Sequence, residues 1–250
     1  MAKIQRLGSH ASRDALRLHS QGGLGNQILM FLPLWGRARQ LNLPLEVDVN
    51  LHSQGRAFAL QDVLANLPNV SLVSAGRGHF YRRTIGRTCS VIEDSRTFNS
   101  RIETLPPGSC ALGYFQSWRY RELLSESDLQ LFRQALVSQL PQQPYSPGGV
   151  SIHVRRGDYS NPGNREFHGI LGRDYYQAAI DRLGIALNES EIRVISDDAK
   201  PALSELLGES LPAAPDVPSQ RSMWEDFSAM VHSRDLICAN STFSFTASLL

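Results

Sequence analysis

The chain has 250 residues, of which 42% are hydrophobic, so it can bury a core in one large domain or two smaller ones. Its formal net charge of +1 gives no global basic field for nucleic acid, and any anion site must therefore be local. The 3 cysteines show no CxxC spacing, which argues against a disulfide framework or a structural zinc site. No apolar run reaches the roughly 20 residues of a membrane helix, and the first residues lack a signal-peptide core. The sequence thus predicts a soluble, cytoplasmic protein without a transmembrane segment or a nucleic-acid partner.

The first half of the chain opens with a predicted strand, turn and helix. Residues 1–14 are predicted to be a disordered lead-in, and the alternation of residues 15–20 predicts a strand. Residues 21–27 (QGGLGNQ) then form a glycine-rich turn before an apolar helix at 28–41. Such a turn either packs the helix tightly on the strand or brings backbone N–H groups close to an anionic ligand.

Three features of this half leave alternatives open. Glu46 and Asp48 on the next strand either hold a divalent metal or are simply exposed carboxylates. Residues 76–87 are basic with interleaved aromatics, which favours a solvated loop over a contact with an acceptor or nucleic acid. Trp118 and Tyr120 form either a sugar-stacking platform or part of the core. Further predicted elements are strands at 45–49, 70–73 and 111–116, a helix at 61–67, and a helix at 127–140 capped by Ser127 or Asp128.

A linker signal separates the two halves. Residues 141–149 (PQQPYSPGG) are rich in proline and glycine, which places a domain boundary between residues 15–140 and 150–250. Beyond it the alternation of strands and helices restarts, with residues 160–168 read as a polar connection. Predicted elements here are strands at 150–154, 191–195 and 236–239, and helices at 174–187, near 201 and at 222–233, the last opened by a capping box.

The strand at 150–154 ends in adjacent arginines. Ligands of open α/β sheets bind beyond the carboxyl ends of the strands, where Arg155, Arg156 and Asp158 would lie. Because the guanidinium fork fits phosphate bidentately, the arginine pair suits a nucleotide diphosphate. The alternatives are a solvated basic face and an Arg-Gly-Asp adhesion tripeptide.

Two further strand ends carry polar clusters. Ser196 and Asp197 can accept hydrogen bonds from a ribose hydroxyl or a guanine base, or Asp197 merely caps the next helix. Residues 240–244 (NSTFS) offer hydroxyls and N–H groups at a helix start, as a phosphate cradle or as ordinary capping.

The motifs GGLGNQ, GYFQSWRY, HVRRGDY, ISDD and ANSTFS follow one another between Leu18 and Ser244. In this order the chain resembles the GDP-fucose-dependent α-1,2-fucosyltransferases of the glycosyltransferase family 11 type. The resemblance implies an α/β, GT-B-like fold with two Rossmann-like domains facing across a cleft. Residues 15–140 would form the acceptor-side domain, and residues 150–250 the GDP-fucose-binding domain. It also implies transfer of fucose, with inversion, to the 2-hydroxyl of a terminal galactoside on a glycan acceptor, with no cofactor and no obligatory metal.

The resemblance also implies roles for individual residues. Arg155 would hold the β-phosphate and stabilise the departing GDP, assisted by Arg156. Asp158 is the first candidate for the general base, with Glu166 and His168 behind it, unless Asp158 only braces the arginines. The implied substrate contacts are His153, Arg156, Ser196, Asp197, Ser241, Thr242, Ser244, Gly22, Gly23, Gly25, Asn26 and Gln27.

The chain departs from the family pattern at its carboxyl end. Residues 245–248 (FTAS) replace an aromatic helix and the chain stops at Leu250, so the carboxyl end is predicted to be short and to leave apolar surface uncovered. The competing hypothesis is a non-catalytic, decayed or truncated GDP-sugar- or glycan-binding protein. The implied location is the cytoplasm or the inner face of the membrane.

Overall fold

A computed structural model describes residues 5–6, 14–49, 58–74, 89–92, 97–141, 149–160, 162–185, 192–197 and 222–250. The chain divides into two compact units, the N-terminal unit Met1–Gln139 and the C-terminal unit Leu140–Leu250. The division lies beside the predicted linker, most of which (142–148) falls outside the described residues. Each unit carries helices and its own parallel sheet, so the predicted α/β class is confirmed.

The N-terminal unit is built on one sheet whose strands pair in parallel, in the order β1-β4-β3-β2-β6-β5. Its strands are β1 (Gln5–Arg6), β2 (Leu16–His19), β3 (Leu45–Asp48), β4 (Val70–Ser74), β5 (Cys89–Ile92) and β6 (Cys110–Leu112). The strands predicted near β2, β3 and β4 are confirmed. Strand β5 was not predicted, and β1 lies within the predicted disordered lead-in, where Gln5 pairs with Val73.

Strand β6 is shorter than predicted. It ends at Leu112, whereas the sequence pattern extends the strand to residue 116. Gly113 and Phe115 both adopt positive φ, at 145° and 49°, and this backbone cannot continue a parallel ladder. Phe115 is nonetheless fully buried and packs edge-on against Tyr120, so its side chain belongs to the core.

Three helices of the N-terminal unit are described, α1 (Leu24–Leu41), α2 (Gln61–Leu64) and α3 (Glu126–Val137), together with 3₁₀ turns at Ser100–Thr104 and Trp118–Leu123. Helix α1 begins four residues before the predicted start at Ile28, so the glycine-rich segment is not a turn throughout. Gly23 is extended and serves as the N-cap, while the buried Leu24 anchors the first helical turn. Gly25, Asn26 and Gln27 therefore lie on helix α1 itself.

Helix α3 is also capped two or three residues earlier than predicted. Ser125, rather than Ser127 or Asp128, is the N-cap, and its hydroxyl accepts the N–H of Asp128 at 3.1 Å. The carboxylate of Asp128 is then available to Arg39 of α1, whose Nε lies 2.9 Å away. The cap thus also orients the ion pair that ties α3 to α1.

Gly36 lets α1 approach the 3₁₀ turn at Trp118–Leu123. A methyl group at Gly36 would lie 2.7 Å from the backbone oxygen of Leu123. We therefore expect Gly36→Ala to lower the free energy of unfolding by about 1–3 kcal/mol, measured by urea denaturation, because the backbone must shift. Gly163→Ala is the control, since a methyl group added to that helical glycine would meet no neighbouring side chain or element within 4 Å. A Gly36 variant as stable as wild type would contradict the close approach.

The C-terminal unit is built on the sheet β8-β7-β9, whose described pairs are parallel. Its strands are β7 (Val150–Val154), β8 (Ile192–Ser196) and β9 (Asp235–Ile237), and its described helices are α4 (Pro162–His168), α5 (Arg173–Leu183), α6 (Met223–Val231) and α7 (Thr242–Ser248). The central strand β7 is buried throughout and forms the core with residues such as Tyr176, Ile180 and Val194. Central position and parallel pairing bring the carboxyl end of β7 next to that of β8.

Most of the predicted elements of this unit are present, with two differences. Residues 160–168 are not simply a polar connection, because they contain α4. Helix α5 ends at Leu183 instead of 187, since Gly184 adopts the left-handed conformation that stops a helix. The capping box of Ser222 and Glu225 is confirmed, and the helix predicted near residue 201 falls outside the described residues. No helix in the described ranges is long and apolar enough to cross a membrane.

Candidate functional site

The site begins where β7 ends. Val154 is the last strand residue and is buried, and the chain then turns into the arginine loop, defined here as residues 155–160. In the register of β7 and β8, Val154 lies opposite Ser196, so Arg155 and Asp197 are the first residues beyond the two strands. Nη1 of Arg155 lies 2.6 Å from Oδ2 of Asp197. The structure therefore brings two separately predicted motifs together in one ion pair.

Asp197 also holds the backbone of the arginine loop. Its Oδ1 accepts the N–H of Arg156 at 2.8 Å, so each carboxylate oxygen has a partner in the loop. The pair is only partly shielded, because the side chains of Arg155 and Asp197 remain 24% and 28% exposed. Contact of Asp197 with guanosine stays a prediction.

The guanidinium groups of the two arginines have different partners. The guanidinium of Arg156 donates to the carbonyl of Arg155 at 3.1 Å and to the carbonyl of Leu171 at 3.0 Å. The bond to Leu171 fastens the loop to the segment before α5. The guanidinium of Arg155 lies at the strand end, 5.4 Å from the ring centre of Tyr159, within the range of a cation–π contact. Contact of either arginine with a phosphate group stays a prediction.

Tyr159 and Asn240 join the arginine loop to its neighbours. The ring of Tyr159 stacks on His168 with centroids 4.5 Å apart, and its hydroxyl donates to the carbonyl of Asn240 at 3.3 Å. The amide Nδ2 of Asn240 donates to the carbonyls of His168 at 2.8 Å and Gly169 at 3.2 Å. Tyr159 and Asn240 lie in motifs that were recognised in the sequence, but neither residue was predicted to have a role.

His153 lies one residue before the end of β7 and is buried, with 4% exposure. Its Nδ1 is buried without a hydrogen-bond partner, and its ring packs against Phe243 at 5.8 Å. Burial, helped by the positive charge of Arg155 and opposed by Asp197, lowers the pKa of His153 to about 4. The imidazole is therefore neutral near pH 7. His153 lies two residues before Arg155 but adds no charge to the site.

The low pKa of His153 makes stability depend on pH. The unfolded chain takes up a proton below pH 6.5 while the folded chain resists until about pH 4, so stability falls as the pH drops through this window. We expect this group to remove about 3 kcal/mol of unfolding free energy between about pH 7 and about pH 4. Urea denaturation of wild type and His153→Leu at both pH values measures the difference. Equal pH dependence in the two proteins would show that His153 does not titrate this way.

The hydroxyls of the third motif bond to nearby backbone. Ser241 is the N-cap of α7 and accepts the N–H of Phe243 at 3.3 Å. Ser244 is buried, and its hydroxyl lies 3.4 Å from the carbonyls of Ala239 and Ser241. Thr242 is half-buried at the first helical position. Contacts of these three residues with a diphosphate stay predictions.

In the N-terminal unit, the glycine motif forms its own hydrogen-bond network. Gly22 has a φ of 78°, a left-handed conformation that glycine adopts without strain. The buried amide of Gln27 donates to the carbonyl of Gly22 at 3.0 Å and accepts the N–H of Ala59 at 2.8 Å. Oδ1 of Asn26 accepts from the amide of Gln116 at 3.2 Å. Gln27 thus holds the loop, while the half-buried Asn26 stays a predicted ligand contact along with Gly23 and Gly25.

The structure also describes the carboxylate pair and the aromatic pair that the sequence singled out in the N-terminal unit. Glu46 pairs with Arg17 at 3.0 Å, which accounts for one of the two carboxylates considered for metal binding. Among the residues that the structure describes, no group of three or more His, Cys, Asp or Glu side chains could hold a metal ion. Of the aromatic pair, Tyr120 is core and Trp118 is 62% exposed.

The three candidates for the general base all belong to the arginine loop or to α4. The backbone of Asp158 lies in the 3₁₀ turn Gly157–Ser160, and its side chain is outside the described part of the structure. Glu166 and His168 are exposed on α4, and His168 is stacked on Tyr159. The identity of the base therefore stays a prediction.

Two curated relatives from Escherichia coli are similar in sequence. The O-antigen biosynthesis glycosyltransferase WbnK is 48% identical over 52 residues, which are 20% of this chain and 17% of that protein. The match thus spans about a sixth of WbnK. An alpha-1,2-colitosyltransferase is 27% identical over 251 residues, covering 90% of this chain and 83% of that protein.

The fold is similar to that of a solved glycosyltransferase. The crystal structure of fucosyltransferase NodZ from Bradyrhizobium aligns with a TM-score of 0.50 at 13% identity, over 96% of this chain and 94% of that chain. The likeness shows the fold, and it confirms the predicted GT-B-like class.

The family is shown by a sequence match. The profile of Glycosyl transferase family 11 matches residues 112–250, which include the arginine loop, Asp197 and the ANSTFS segment. Since this match covers more than half of the chain, the chain belongs to glycosyl transferase family 11.

Proposed function

We propose that this chain transfers fucose from GDP-fucose to the 2-hydroxyl of a terminal galactoside, with inversion at the transferred carbon. The observation that carries the proposal is the placement of Arg155 at the end of the buried central strand, with its guanidinium held by Asp197. Membership of glycosyl transferase family 11 supports a sugar-nucleotide reaction. The colitosyltransferase relative supports the α-1,2 linkage.

A fixed guanidinium suits the chemistry of glycosyl transfer from a nucleotide diphosphate. Glycosyl transfer breaks the bond between the sugar and the diphosphate through an oxocarbenium-like state, and negative charge grows on the departing phosphate. A preorganised positive group at that point stabilises the transition state more than the ground state. In our proposal Arg155 meets the β-phosphate, and this charge serves where other enzymes use a metal ion. Asp158 takes the proton from the acceptor hydroxyl.

The test is turnover with defined substrates. The protein is incubated with GDP-fucose and β-galactoside acceptors in EDTA, GDP release is followed, and the product linkage is determined by NMR. Acceptor-dependent GDP release with an α-1,2-fucosyl product supports the proposal. A fucosyl product with another linkage overturns the proposed specificity.

The donor sugar needs its own comparison. Because one relative carries the name of a colitosyltransferase, GDP-colitose is assayed beside GDP-fucose. A higher kcat/KM with GDP-colitose would replace fucose by colitose in the proposal. A folded chain that binds GDP but turns over neither donor with any acceptor would be a GDP-sugar-binding protein instead.

A further inference from the structure

We infer that Asp197 is a positioning residue that aims the guanidinium of Arg155 at the donor diphosphate. The inference rests on the proposed function for the identity of the ligand, but the contacts that carry it are independent of any ligand. It gives Asp197 a role different from the guanosine contact that its motif suggested. It also assigns to Asp197 the bracing of the arginines that the sequence associated with Asp158.

The first support is that the carboxylate binds two different parts of the loop. Oδ2 pairs with Nη1 of Arg155 at 2.6 Å, and Oδ1 accepts the backbone N–H of Arg156 at 2.8 Å. The second bond fixes the carboxylate relative to the loop backbone, and the first then fixes the guanidinium relative to the carboxylate. An arginine has five N–H donors, so the ion pair with Asp197 is compatible with further contacts of the same guanidinium.

The second support is where the two side chains start. Parallel register places Val154 opposite Ser196, so Arg155 and Asp197 leave the sheet side by side from neighbouring strands. Both strands are largely buried, and this fixes the backbone origins of the two side chains. Two buried strands joined at their ends by the Arg155–Asp197 ion pair can hold the guanidinium in a preorganised position.

The third support is the close fit of the carboxylate against the loop. A methyl group at Gly157 would lie 2.8 Å from Cγ of Asp197 and closer still to Oδ2. Glycine at this position therefore leaves the space that the carboxylate occupies. Gly157, which follows the arginine pair, and Asp197, which follows β8, are therefore sterically complementary.

The test uses Asp197→Asn, Arg155→Ala and the double variant. Asparagine keeps an oxygen for the N–H of Arg156 but removes the charge that holds Arg155. We expect kcat to fall about 10- to 100-fold in Asp197→Asn, because misplacing a catalytic group by about 1 Å has effects of this size. In the Arg155→Ala background the same change should have little further effect, since the group being positioned is absent. Asp181→Asn, on an exposed position of α5, is the charge-matched control.

The affinity for GMP distinguishes a positioning role of Asp197 from a direct contact of Asp197 with the guanine base. GMP carries guanine and ribose but no β-phosphate, so its dissociation constant in Asp197→Asn should stay within about twofold of wild type if Asp197 acts through Arg155. A large loss of GMP affinity, with additive effects of Asp197→Asn and Arg155→Ala on kcat, would overturn the inference in favour of a guanosine contact.

A measurement without any ligand keeps the inference testable if the donor proves not to be GDP-fucose. The guanidinium NMR signals of Arg155, assigned with Arg155→Lys, should show slow rotation about Cζ–Nη1 in wild type and fast rotation in Asp197→Asn. Identical Arg155 signals in the two proteins would overturn the inference. Absence of GDP binding to wild type would overturn the proposed function alone.

Discussion

Arg155→Ala should lower kcat about 10²- to 10³-fold, the size of effect seen when one preorganised donor to a developing anion is removed. The charge on the leaving diphosphate would then meet water instead of a guanidinium fixed at the end of β7. Arg155→Lys should recover only part of the rate, because an ammonium group keeps the charge but loses the planar fork. The measurement is acceptor-dependent GDP release at saturating donor.

Arg165→Ala is the matched control for this prediction. Arg165 lies in an exposed position on α4, and its loss changes the net charge by the same amount. We expect kcat within about twofold of wild type for this variant, as for most surface substitutions. If Arg155→Ala and Arg165→Ala were equally active, the proposed role of Arg155 would be wrong, whatever the donor sugar is.

Gly157→Ala should lower kcat about 10²-fold, although it adds only one methyl group to an exposed turn. The methyl group would lie 2.8 Å from Cγ of Asp197, so the carboxylate must move and the Arg155 ion pair must move with it. The effect should appear in kcat more than in stability, because the turn is at the surface. Steady-state kinetics and urea denaturation on the same variant separate the two.

Gly172→Ala provides the control for added volume in the same unit. No atom lies within 4 Å of a methyl group at Gly172, so this variant should retain turnover within about twofold. A Gly157→Ala enzyme with wild-type kcat would mean that the loop accommodates the methyl group without displacing Asp197, or that the displacement does not matter to catalysis.

Hydrophobic patterning predicted most of the fold. Alternation predicted β2, short strand-like runs predicted β3 and β4, and a helical apolar stripe predicted α3 and α5, because these segments bury one or both faces against the core. The errors lie where local backbone geometry decides. Helix α1 starts at Leu24 because an extended Gly23 caps it, and β6 stops at Leu112 because positive φ angles follow.

From the sequence, Arg155 and Asp197 could each be predicted to follow a strand, but their pairing with each other could not. Adjacent arginines after a buried strand already indicated an anion site at a sheet edge. The residue pattern alone does not distinguish Arg155 from Arg156, whereas the structure joins Arg155 to Asp197 and Arg156 to the carbonyl of Leu171. The pairing depends on which strands are neighbours and in which register, and that information is tertiary. Asn240 was overlooked for the same reason.

The amide of Asn240 also makes the region around the site sensitive to chemical ageing. Its Nδ2 donates to the carbonyls of His168 and Gly169, and the backbone carbonyl of Asn240 accepts from the hydroxyl of Tyr159. Deamidation would replace this donor by a carboxylate oxygen facing two carbonyl oxygens, which turns two attractions into repulsions. The side chain is exposed and is followed by the small residue Ser241, so water can reach it. Loss of a single amide nitrogen during storage would therefore loosen α4 from the segment that follows β9, while leaving the sequence otherwise unchanged.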